Sequence, residues 1–373
     1  MANRIKEKYM AGKRYFDYPM LFLVIFLICF GLVMIYSTSS YKSTVTYGNS
    51  YHWLLRQAVA IVLGAVAMVV CCKLDYRIIK SEKFGNGCYW ASIVLLVLVL
   101  IIGAAKKGAV RWISIAGFQF QPSEVSKILV VIYLANRLSA NAHKIRTFKD
   151  SIVIVLPTVP IIALIVTQNL STALVVCSMI GVMLFVVSPK MKELMLTAGG
   201  GIILLFVYLL TANSYRNERV QIWLHPESHK KGFQTMQALY AIGSGGLFGK
   251  GLGQSMQKLG FLPEANNDMI FSVICEELGL FGALCVLALF FALIWRFMVI
   301  AVNAPDLYGS MIVVGVIAHI GIQVFINIAV ATNTIPNTGI PLPFISYGGS
   351  SLVFMLLEMG LVLSVSRYIN VKK

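Results

Sequence analysis

Long stretches of apolar residues, separated by short polar segments, recur from one end of the chain to the other. Each stretch is long enough for a helix to cross the hydrocarbon core of a bilayer, which takes about 20 residues. Because a chain inside hydrocarbon must satisfy its own backbone hydrogen bonds, stretches of this length predict helices rather than barrel strands. Ten spans are expected, at 19–37, 54–72, 88–104, 122–138, 151–167, 170–188, 193–212, 269–295, 307–331 and 349–366.

The predicted fold is all-α, a single polytopic transmembrane domain over residues 1–373 with an N-terminal tail at 1–18. The longest segment between spans, 213–268, separates the seventh from the eighth. Most of the 31 lysine and arginine residues fall on one side of this arrangement, together with both termini. Positively charged segments tend to stay in the cytoplasm. We therefore expect both termini to be cytoplasmic and 213–268 to be a large extracellular loop.

Composition agrees with a membrane protein, since 58% of the residues are hydrophobic and 12% are charged. The formal net charge of +16 would also suit a nucleic-acid-binding protein. However, no basic stripe interleaved with aromatic residues lies on a soluble domain, so we expect no nucleic-acid partner. The seven cysteines lack the spacing of metal ligands and are expected to be small apolar fillers.

The stretch 261–279 runs from a polar loop into an apolar helix and carries four acids, namely Glu264, Asp268, Glu276 and Glu277. Carboxylates at the edge of hydrocarbon are costly unless they are paired, neutralised or hydrated, so they are functional candidates. A structural alternative is that Asn266 or Asn267 caps the helix and Asp268 complements its dipole. The spacing alone leaves both interpretations open.

Charged residues also gather before and within the start of the fourth span. Lys106, Lys107 and Arg111 lie in a short loop where the positive-inside rule disfavours cations. They are predicted either to attract an anionic ligand such as a phosphate or to bind lipid headgroups. Glu124 and Lys127 are spaced at i and i+3, so they form either a self-neutralising pair or a site for a polar headgroup.

Two further polar patterns occur near the C-terminus. His319, Gln323 and Asn327 share one face of the ninth span, where we favour interhelical hydrogen bonds over a metal site. The segment 332–348 holds three prolines, so it is irregular and must lie against protein or a hydrated cavity. The residues expected to line that cavity, or alternatively to cap the next helix, are Ser346, Tyr347, Ser350 and Ser351. The glycine-rich stretch 241–255 fails the P-loop spacing and is interpreted as flexible backbone.

Several ordered motifs resemble those of the SEDS family (shape, elongation, division and sporulation), in particular its FtsW and SpoVE branch. They are AVRWISIAGFQFQPSEVSK at 109–127, LSTAL at 170–174, GLGQSMQKLGFLPEANNDMIFSVICEELG at 251–279 and TGIPLPFISYGGSS at 338–351. The resemblance covers essentially the whole chain. It implies ten transmembrane helices and a peptidoglycan glycosyltransferase, which polymerises lipid II at the outer face of the cytoplasmic membrane during cell division or sporulation.

The resemblance also implies roles for particular residues. The essential acid of the family's LPE-x-x-x-D motif falls on Asp268. The positions that match polar or signature residues around the same cavity are Arg111, Glu124, Lys127, Ser346 and Tyr347. Glu264 and Ser350 are added as substrate-binding candidates. Two positions depart from the family, because Asn267 stands where a threonine is common and Asn169 stands where many members have an acid.

The mechanism expected from these residues has Asp268 as the general base that deprotonates an acceptor hydroxyl. The leaving group, undecaprenyl pyrophosphate, would be stabilised by Arg111, Lys106, Lys107 or Lys127. A divalent cation, Mg²⁺ or Mn²⁺, held by Asp268 and the pyrophosphate, is a second candidate for that role, and no organic cofactor is expected.

The expected partners are the substrate lipid II, a class B penicillin-binding protein with transpeptidase activity, and other membrane proteins of division or sporulation. Two alternatives to an enzyme stay open from the sequence. One is a lipid II flippase, which would use polar groups near the bilayer midplane such as His319 and Glu276. The other is a non-catalytic scaffold of the division complex.

Overall fold

A computed structural model describes residues 15–106, 109–115, 118–145, 147–188, 214–229 and 232–369. These residues are mostly helical, with three short strands between the third and fourth helices. The helices are α1 (Tyr18–Tyr47), α2 (His52–Lys73), α3 (Glu82–Ile102), α4 (Pro122–Asn141), α5 (Phe148–Val155), α6 (Val159–Gln168), α7 (Leu170–Val187), α8 (Ser214–Leu224), α9 (Phe233–Ser244), α10 (Ile270–Val302), α11 (Leu307–Ala331) and α12 (Gly349–Ser366). The strands are β1 (Ala104–Lys106), β2 (Ala109–Ile115) and β3 (Phe118–Phe120).

Eight helical segments among the described residues are long and apolar enough to cross a membrane, and each matches a span predicted from the sequence. Helix α4 coincides with the predicted span 122–138 but falls outside that set. Its buried face includes Glu124, Lys127 and Asn136, which lower its hydropathy. The predicted span 193–212 lies outside the described residues, so the total of ten spans stays a prediction.

Two of the long helical segments are interrupted. Between α5 and α6 the chain forms a 3₁₀ turn over Leu156–Thr158, close to Pro157 and Pro160. Proline has no N–H to donate and crowds the preceding turn, which explains this break. Helix α10 changes direction at Gly279, whose φ of 69° and ψ of −167° are not helical. A positive φ costs glycine little because it has no Cβ.

The segment between α3 and α4 corrects the prediction of an entirely α-helical chain. Strands β1, β2 and β3 form a small antiparallel sheet in that order, with Ile113 opposite Phe120 and Ser114 opposite Gln119. The sequence AVRWISI contains β-branched and aromatic residues, which suit a strand. The sequence predicts only a short loop here, because three strands of this length carry no strong hydropathy signal.

Helix α11 lies at the centre of the bundle and packs against α4, α7 and α10. Its apolar window is 72% buried, whereas that of α2 is 17% buried and leaves most of α2 facing outward. The close contact between α2 and α12 depends on two glycines. A Cβ on Gly64 would lie 2.5 Å from a Leu356 side-chain carbon, and one on Gly360 would lie 2.5 Å from the Met68 carbonyl oxygen. Small residues of this kind let helices approach in membranes.

The long segment 213–268 is more ordered than an extended loop. It contains α8 and α9, together with 3₁₀ turns at Pro226–Ser228 and Gln257–Leu259. The prediction that its glycine-rich part is flexible backbone is wrong. Residues 245–251 lie along α10 and exchange backbone hydrogen bonds with it on both sides of Gly279.

Ion pairs join elements at the opposite end of α10 and in the turn that follows it. Arg296 of α10 lies 2.7 Å from Asp17, just before α1. Asp306, which caps α11, lies 3.0 Å from Lys80 and accepts a hydrogen bond from the Tyr76 hydroxyl at 3.0 Å. These contacts join α10 to the start of α1, and the start of α11 to the segment between α2 and α3.

Candidate active site

Asp268 lies at the end of the loop that leads into α10, and the residue as a whole is only 8% exposed. Its backbone carbonyl accepts a hydrogen bond of 2.8 Å from the Nδ2 of Asn327, a residue of the polar stripe on α11. The same Nδ2 donates to the carbonyl of Ile340 at 2.8 Å. One amide thus joins two segments, which we name the acid loop (263–268) and the proline loop (332–348).

The proline loop pairs directly with the acid loop. The Ser346 hydroxyl donates to the carbonyl of Asn267 at 2.6 Å, and the N–H of Tyr347 donates to the carbonyl of Asn266 at 2.8 Å. Gly339 approaches the carboxylate itself, because a Cβ at that position would lie 3.7 Å from Asp268 Oδ2. The structure therefore brings Ser346 and Tyr347 beside Asp268, on a stiff segment packed against protein.

Glu264 begins the turn of the acid loop and adopts a positive φ of 55°. Its carbonyl accepts the N–H of Asn267 at 2.9 Å, and its carboxylate accepts the side-chain amide of the same residue. The interpretation of Asn266 or Asn267 as helix cap is wrong, since Met269 occupies the position before α10. The first turn of α10 contains no acid, so Asp268 does not lie in it as that interpretation required.

The pair Glu124 and Lys127 is formed, with 2.9 Å between Lys127 Nζ and Glu124 Oε1. Both side chains are buried, and the second carboxylate oxygen accepts the Ser351 hydroxyl at 2.7 Å. This contact joins the start of α4 to the first turn of α12, immediately after the proline loop. Ser350, the neighbouring candidate, is half-buried in that turn.

Tyr347 and its two neighbours in the chain also lie close to three residues near the start of α2. None of these three was a candidate from the sequence. The ring of Trp53 lies edge-on to the Tyr347 ring, with 4.8 Å between centroids. Gln57 donates to the carbonyl of Ser346 at 3.4 Å and accepts the N–H of Gly348 at 3.3 Å. Burial raises the pKa of the Tyr347 phenol, an effect that Arg56 opposes. The phenol is therefore a neutral hydrogen-bonding group near pH 7.

The basic residues before α4 occupy the small sheet. Arg111 lies on β2, and its Nε donates to the carbonyl of Gln168 at the end of α6, at 2.7 Å. Gln168 in turn donates to the carbonyl of Leu96 at 3.1 Å, so this contact ties the sheet to α3 and α6. Lys106 ends β1, and Lys107 lies outside the described residues.

Asn169, one of the two positions that depart from the expected family pattern, acts as the cap of α7. Its side-chain oxygen accepts the N–H groups of Ser171 at 3.1 Å and Thr172 at 3.5 Å. An amide oxygen caps a helix about as well as a carboxylate does. The substitution therefore preserves this local structural function while removing the charge.

Buried titratable side chains deeper in the bundle have partners on another helix or on the loop before α10. His319 of α11 has its Nδ1 2.8 Å from Glu358 of α12, which agrees with the expectation of interhelical contacts for the polar stripe. Glu276 and Glu277 of α10 are fully buried and bind Lys250 and Lys258. The two acids were candidates from the sequence, whereas the two lysines, which lie in the preceding loop, were not.

The site has limited means of holding a metal ion through protein groups alone. Within the described ranges, no group of three or more His, Cys, Asp or Glu side chains is close enough to form a metal centre. Mg²⁺ often binds through one or two carboxylates together with substrate phosphates. Asp268 is a single buried carboxylate of this kind, so an ion bound there would need its remaining ligands from substrate and water.

Together these features define a polytopic helical membrane protein with a buried acid held between two loops at one end of the bundle. The FtsW, RodA and SpoVE family, described as cell cycle proteins, matches residues 18–371. The chain belongs to this family and is a multi-pass protein of the cytoplasmic membrane.

Two relatives show how far the similarity extends along the chain. The probable peptidoglycan glycosyltransferase FtsW of Geobacter metallireducens is 37% identical over 361 residues, covering 94% of each chain. The stage V sporulation protein E of Bacillus subtilis is 40% identical over 362 residues, covering 94% of this chain and 97% of that protein.

Solved structures share the fold. One, from a study of how a peptidoglycan synthase complex coordinates polymerization and crosslinking, has a TM-score of 0.80 and 30% identity. It covers 95% of this chain and 98% of its own. The crystal structure of the rod shape determining protein RodA of Thermus thermophilus has a TM-score of 0.71 and 30% identity, covering 96% of this chain and 98% of its own.

Proposed function

We propose that the chain is a peptidoglycan glycosyltransferase that polymerises lipid II into glycan strands at the outer face of the cytoplasmic membrane. Support comes from relatives over nearly the whole chain that carry this activity in their names. The similarity to a structure from a synthase complex that couples polymerization to crosslinking gives further support.

The observation that carries the catalytic assignment is the placement of Asp268. The carboxylate is buried at the junction of the acid loop and the proline loop, and its backbone is held by Asn327. A general base must accept a proton from a hydroxyl held within hydrogen-bond distance. Asp268 would deprotonate the acceptor sugar hydroxyl, which then attacks the anomeric carbon of the donor. Because inversion needs no covalent intermediate, one carboxylate suffices.

The leaving group needs positive charge, since the departing pyrophosphate gains negative charge as the glycosidic bond breaks. Lys127 is already neutralised by Glu124 at 2.9 Å. Arg111 lies on the sheet outside that pair and is oriented by the Gln168 carbonyl, which makes it the stronger candidate. Lys106 and Lys107 belong to the same basic segment. A divalent cation, when bound, would supply additional charge neutralisation at the pyrophosphate.

The topology belongs to the same proposal. Ten membrane spans, cytoplasmic termini and an extracellular segment 213–268 would put the acid loop on the outer side, where lipid II is polymerised. A class B penicillin-binding protein would accept the glycan strand for crosslinking. Glu264, Ser346, Tyr347 and Ser350 would contact the substrate around Asp268.

The test is polymerisation of labelled lipid II by purified protein, with and without its penicillin-binding partner. Glycan strands from the parental protein, and none from a stably folded Asp268→Ala variant, are expected. A flippase would instead move lipid II across vesicle membranes without polymer and would depend on His319 or Glu276. Both of these groups already bind partners within the bundle, which speaks against a transport role. A scaffold would support growth after Asp268→Ala.

A further inference from the structure

Helix α10 is broken at Gly279, and the glycine-rich segment before the acid loop repairs the break. A glycine with φ of 69° ends the helical hydrogen-bond pattern, so backbone groups on both sides need other partners. Two N–H groups of the glycine-rich segment donate to α10, from Lys250 to the Glu276 carbonyl at 3.0 Å and from Gly251 to the Glu277 carbonyl at 2.9 Å. Two N–H groups of α10 donate in return, from Leu280 to the Gly246 carbonyl at 2.9 Å and from Phe281 to the Leu247 carbonyl at 3.0 Å.

The side chains at the same two α10 positions reach back to the loop. The carboxylate of Glu276 accepts the Lys250 ammonium at 2.7 Å, the Ser255 hydroxyl, and the N–H of Met256 at 3.1 Å. One buried carboxylate thus fixes both the glycine-rich segment and the 3₁₀ turn that follows it. The backbone and side chain of Glu276 act on the same stretch of loop.

Glu277 makes an equivalent contact one residue further along α10. Its carboxylate accepts the Lys258 ammonium at 2.8 Å and the Ser37 hydroxyl of α1 at 2.7 Å. Lys258 also donates to Ser37 at 2.8 Å, which closes a three-membered network among α1, α10 and the loop. The side chains of Lys258 and Glu277 are 6% and 0% exposed, so solvent screens this pair little.

We propose that these two pairs, Lys250–Glu276 and Lys258–Glu277, are positioning residues that set the location of the Asp268 carboxylate. We call them the glutamate clamp. The inference rests on the proposed role of Asp268 as the base. The clamp holds the chain upstream of the acid loop against the helix that begins immediately downstream of it. Asp268 therefore lies in a closed stretch of chain whose two ends are both attached to α10.

The clamp acts from one side of the acid loop, whereas the proline loop and α11 act from the other. Asn327 and Ser346 hold the backbone of Asp268 and Asn267 directly. Without the clamp, the contacts of Asn327 and Ser346 would be the ones left to fix the position of the Asp268 carboxylate. A displacement of about 1 Å of a reacting group can lower a rate by about 10²-fold.

The test uses a paired variant, Lys258→Met with Glu277→Gln, so that no charge is left buried without a partner. With labelled lipid II and the penicillin-binding partner, we expect kcat to fall about 10²-fold while KM stays within a few-fold of the parental value. The single variant Lys258→Arg keeps the positive charge opposite Glu277 and is expected to retain most of the parental kcat. Thermal unfolding of each variant establishes that it is folded.

The matched control is Asp17→Asn with Arg296→Met, which removes a partly buried ion pair near the other end of the same helix. We expect the control to keep the parental kcat even where it lowers the unfolding temperature. A folded clamp variant with parental kcat would overturn the proposal. So would an equal loss of kcat in the control, because the effect would then be one of general stability.

Hydrogen exchange tests the clamp independently of activity. The N–H groups of Asn267 and Met269 both donate to the Glu264 carbonyl, so they report on the acid loop. We expect their exchange to quicken at least about tenfold in the clamp variant and to stay parental in the control. Unchanged exchange would overturn the clamp. Absence of polymer from the parental protein would contradict the proposed function, and the exchange result would still decide the clamp.

Discussion

Removing one member of the buried pair Glu124 and Lys127 is expected to destabilise the protein strongly. The side chain of Lys127 is 1% exposed and that of Glu124 is 11% exposed, so either charge alone would be left in a region of low polarity. Breaking a buried ion pair on one side costs about 3–5 kcal/mol. Lys127→Met leaves the carboxylate with the Ser351 hydroxyl, which donates only one hydrogen bond at 2.7 Å. We therefore expect a loss of about 3 kcal/mol or more.

Removing both charges together is expected to cost much less. In the paired variant Glu124→Gln with Lys127→Met, no charge is left buried without a partner, and an unpaired buried charge is the main cost of either single change. The free energies of unfolding of the parent, the two single variants and the paired variant form a double-mutant cycle. Unfolding by SDS in mixed micelles gives the four values.

The more exposed pair Lys80 and Asp306 provides the comparison. Their side chains are 48% and 24% exposed, so Lys80→Met is expected to cost about 1 kcal/mol or less. The reasoning about burial would be refuted if Lys127→Met cost no more than Lys80→Met. It would also be refuted if the paired variant were as unstable as the sum of the single ones.

Two further predictions concern other elements. Burial opposes ionisation of Asp306, but the N–H of Gly309 and the ammonium of Lys80 outweigh it and hold the pKa of this carboxyl below its ordinary value. The ionised carboxyl therefore stabilises the folded protein above about pH 4, which is the pKa of an unfolded Asp. This contribution is lost as the pH falls through the lower pKa of the folded state. The stability of an Asp306→Asn variant should therefore depend less on acid. Gly360→Ala should destabilise by about 1–2 kcal/mol despite its better helix propensity, because its Cβ would meet the Met68 carbonyl at 2.5 Å. Gly87→Ala, which has no atom within 4 Å, is the control and should be neutral or stabilising; equal effects of the two would contradict the packing argument.

The membrane-spanning helices could be predicted because hydrocarbon permits few backbone structures. Wherever an apolar run was long enough, such as 307–331, the helix followed with nearly the same bounds. The breaks were harder to place. Gly279 lies inside the predicted span 269–295, and only the partner segment 245–251 reveals that α10 ends its regular hydrogen bonding there. Hydropathy indicates which segments lie in the membrane, whereas this break depends on a tertiary contact that hydropathy does not detect.

The candidate site was predictable where its geometry is local. Glu124 and Lys127 are three positions apart on one helix, and that spacing brings them into contact wherever the helix forms. The partners that come from elsewhere carried no such signal. Ser351 reaches Glu124 from α12, and Asn327 reaches Asp268 from α11, so both contacts depend on how the helices pack.

The glycine-rich segment shows how composition can mislead. Glycines at 245, 249 and 251 suggested flexibility, but Gly245 and Gly249 permit close contact with α10. A Cβ on Gly245 would lie 1.9 Å from the Cys275 carbonyl oxygen, and one on Gly249 would lie 2.2 Å from that of Glu277. The absence of side chains at these positions serves packing between backbones. The sequence alone does not distinguish that use from mobility.

The measurement that tests the central claim most directly is the rate of lipid II polymerisation by Asp268→Asn beside the parental protein. Asparagine has nearly the same shape as aspartate, so the hydrogen bonds from Asn327 and Ser346 to the backbone of the acid loop should persist. Its side chain cannot accept a proton as a base. With matched unfolding temperatures and the penicillin-binding partner present, we expect a loss of about 10²–10⁴-fold in rate. A folded Asp268→Asn protein that polymerises lipid II at the parental rate would contradict the assignment of Asp268 as the base.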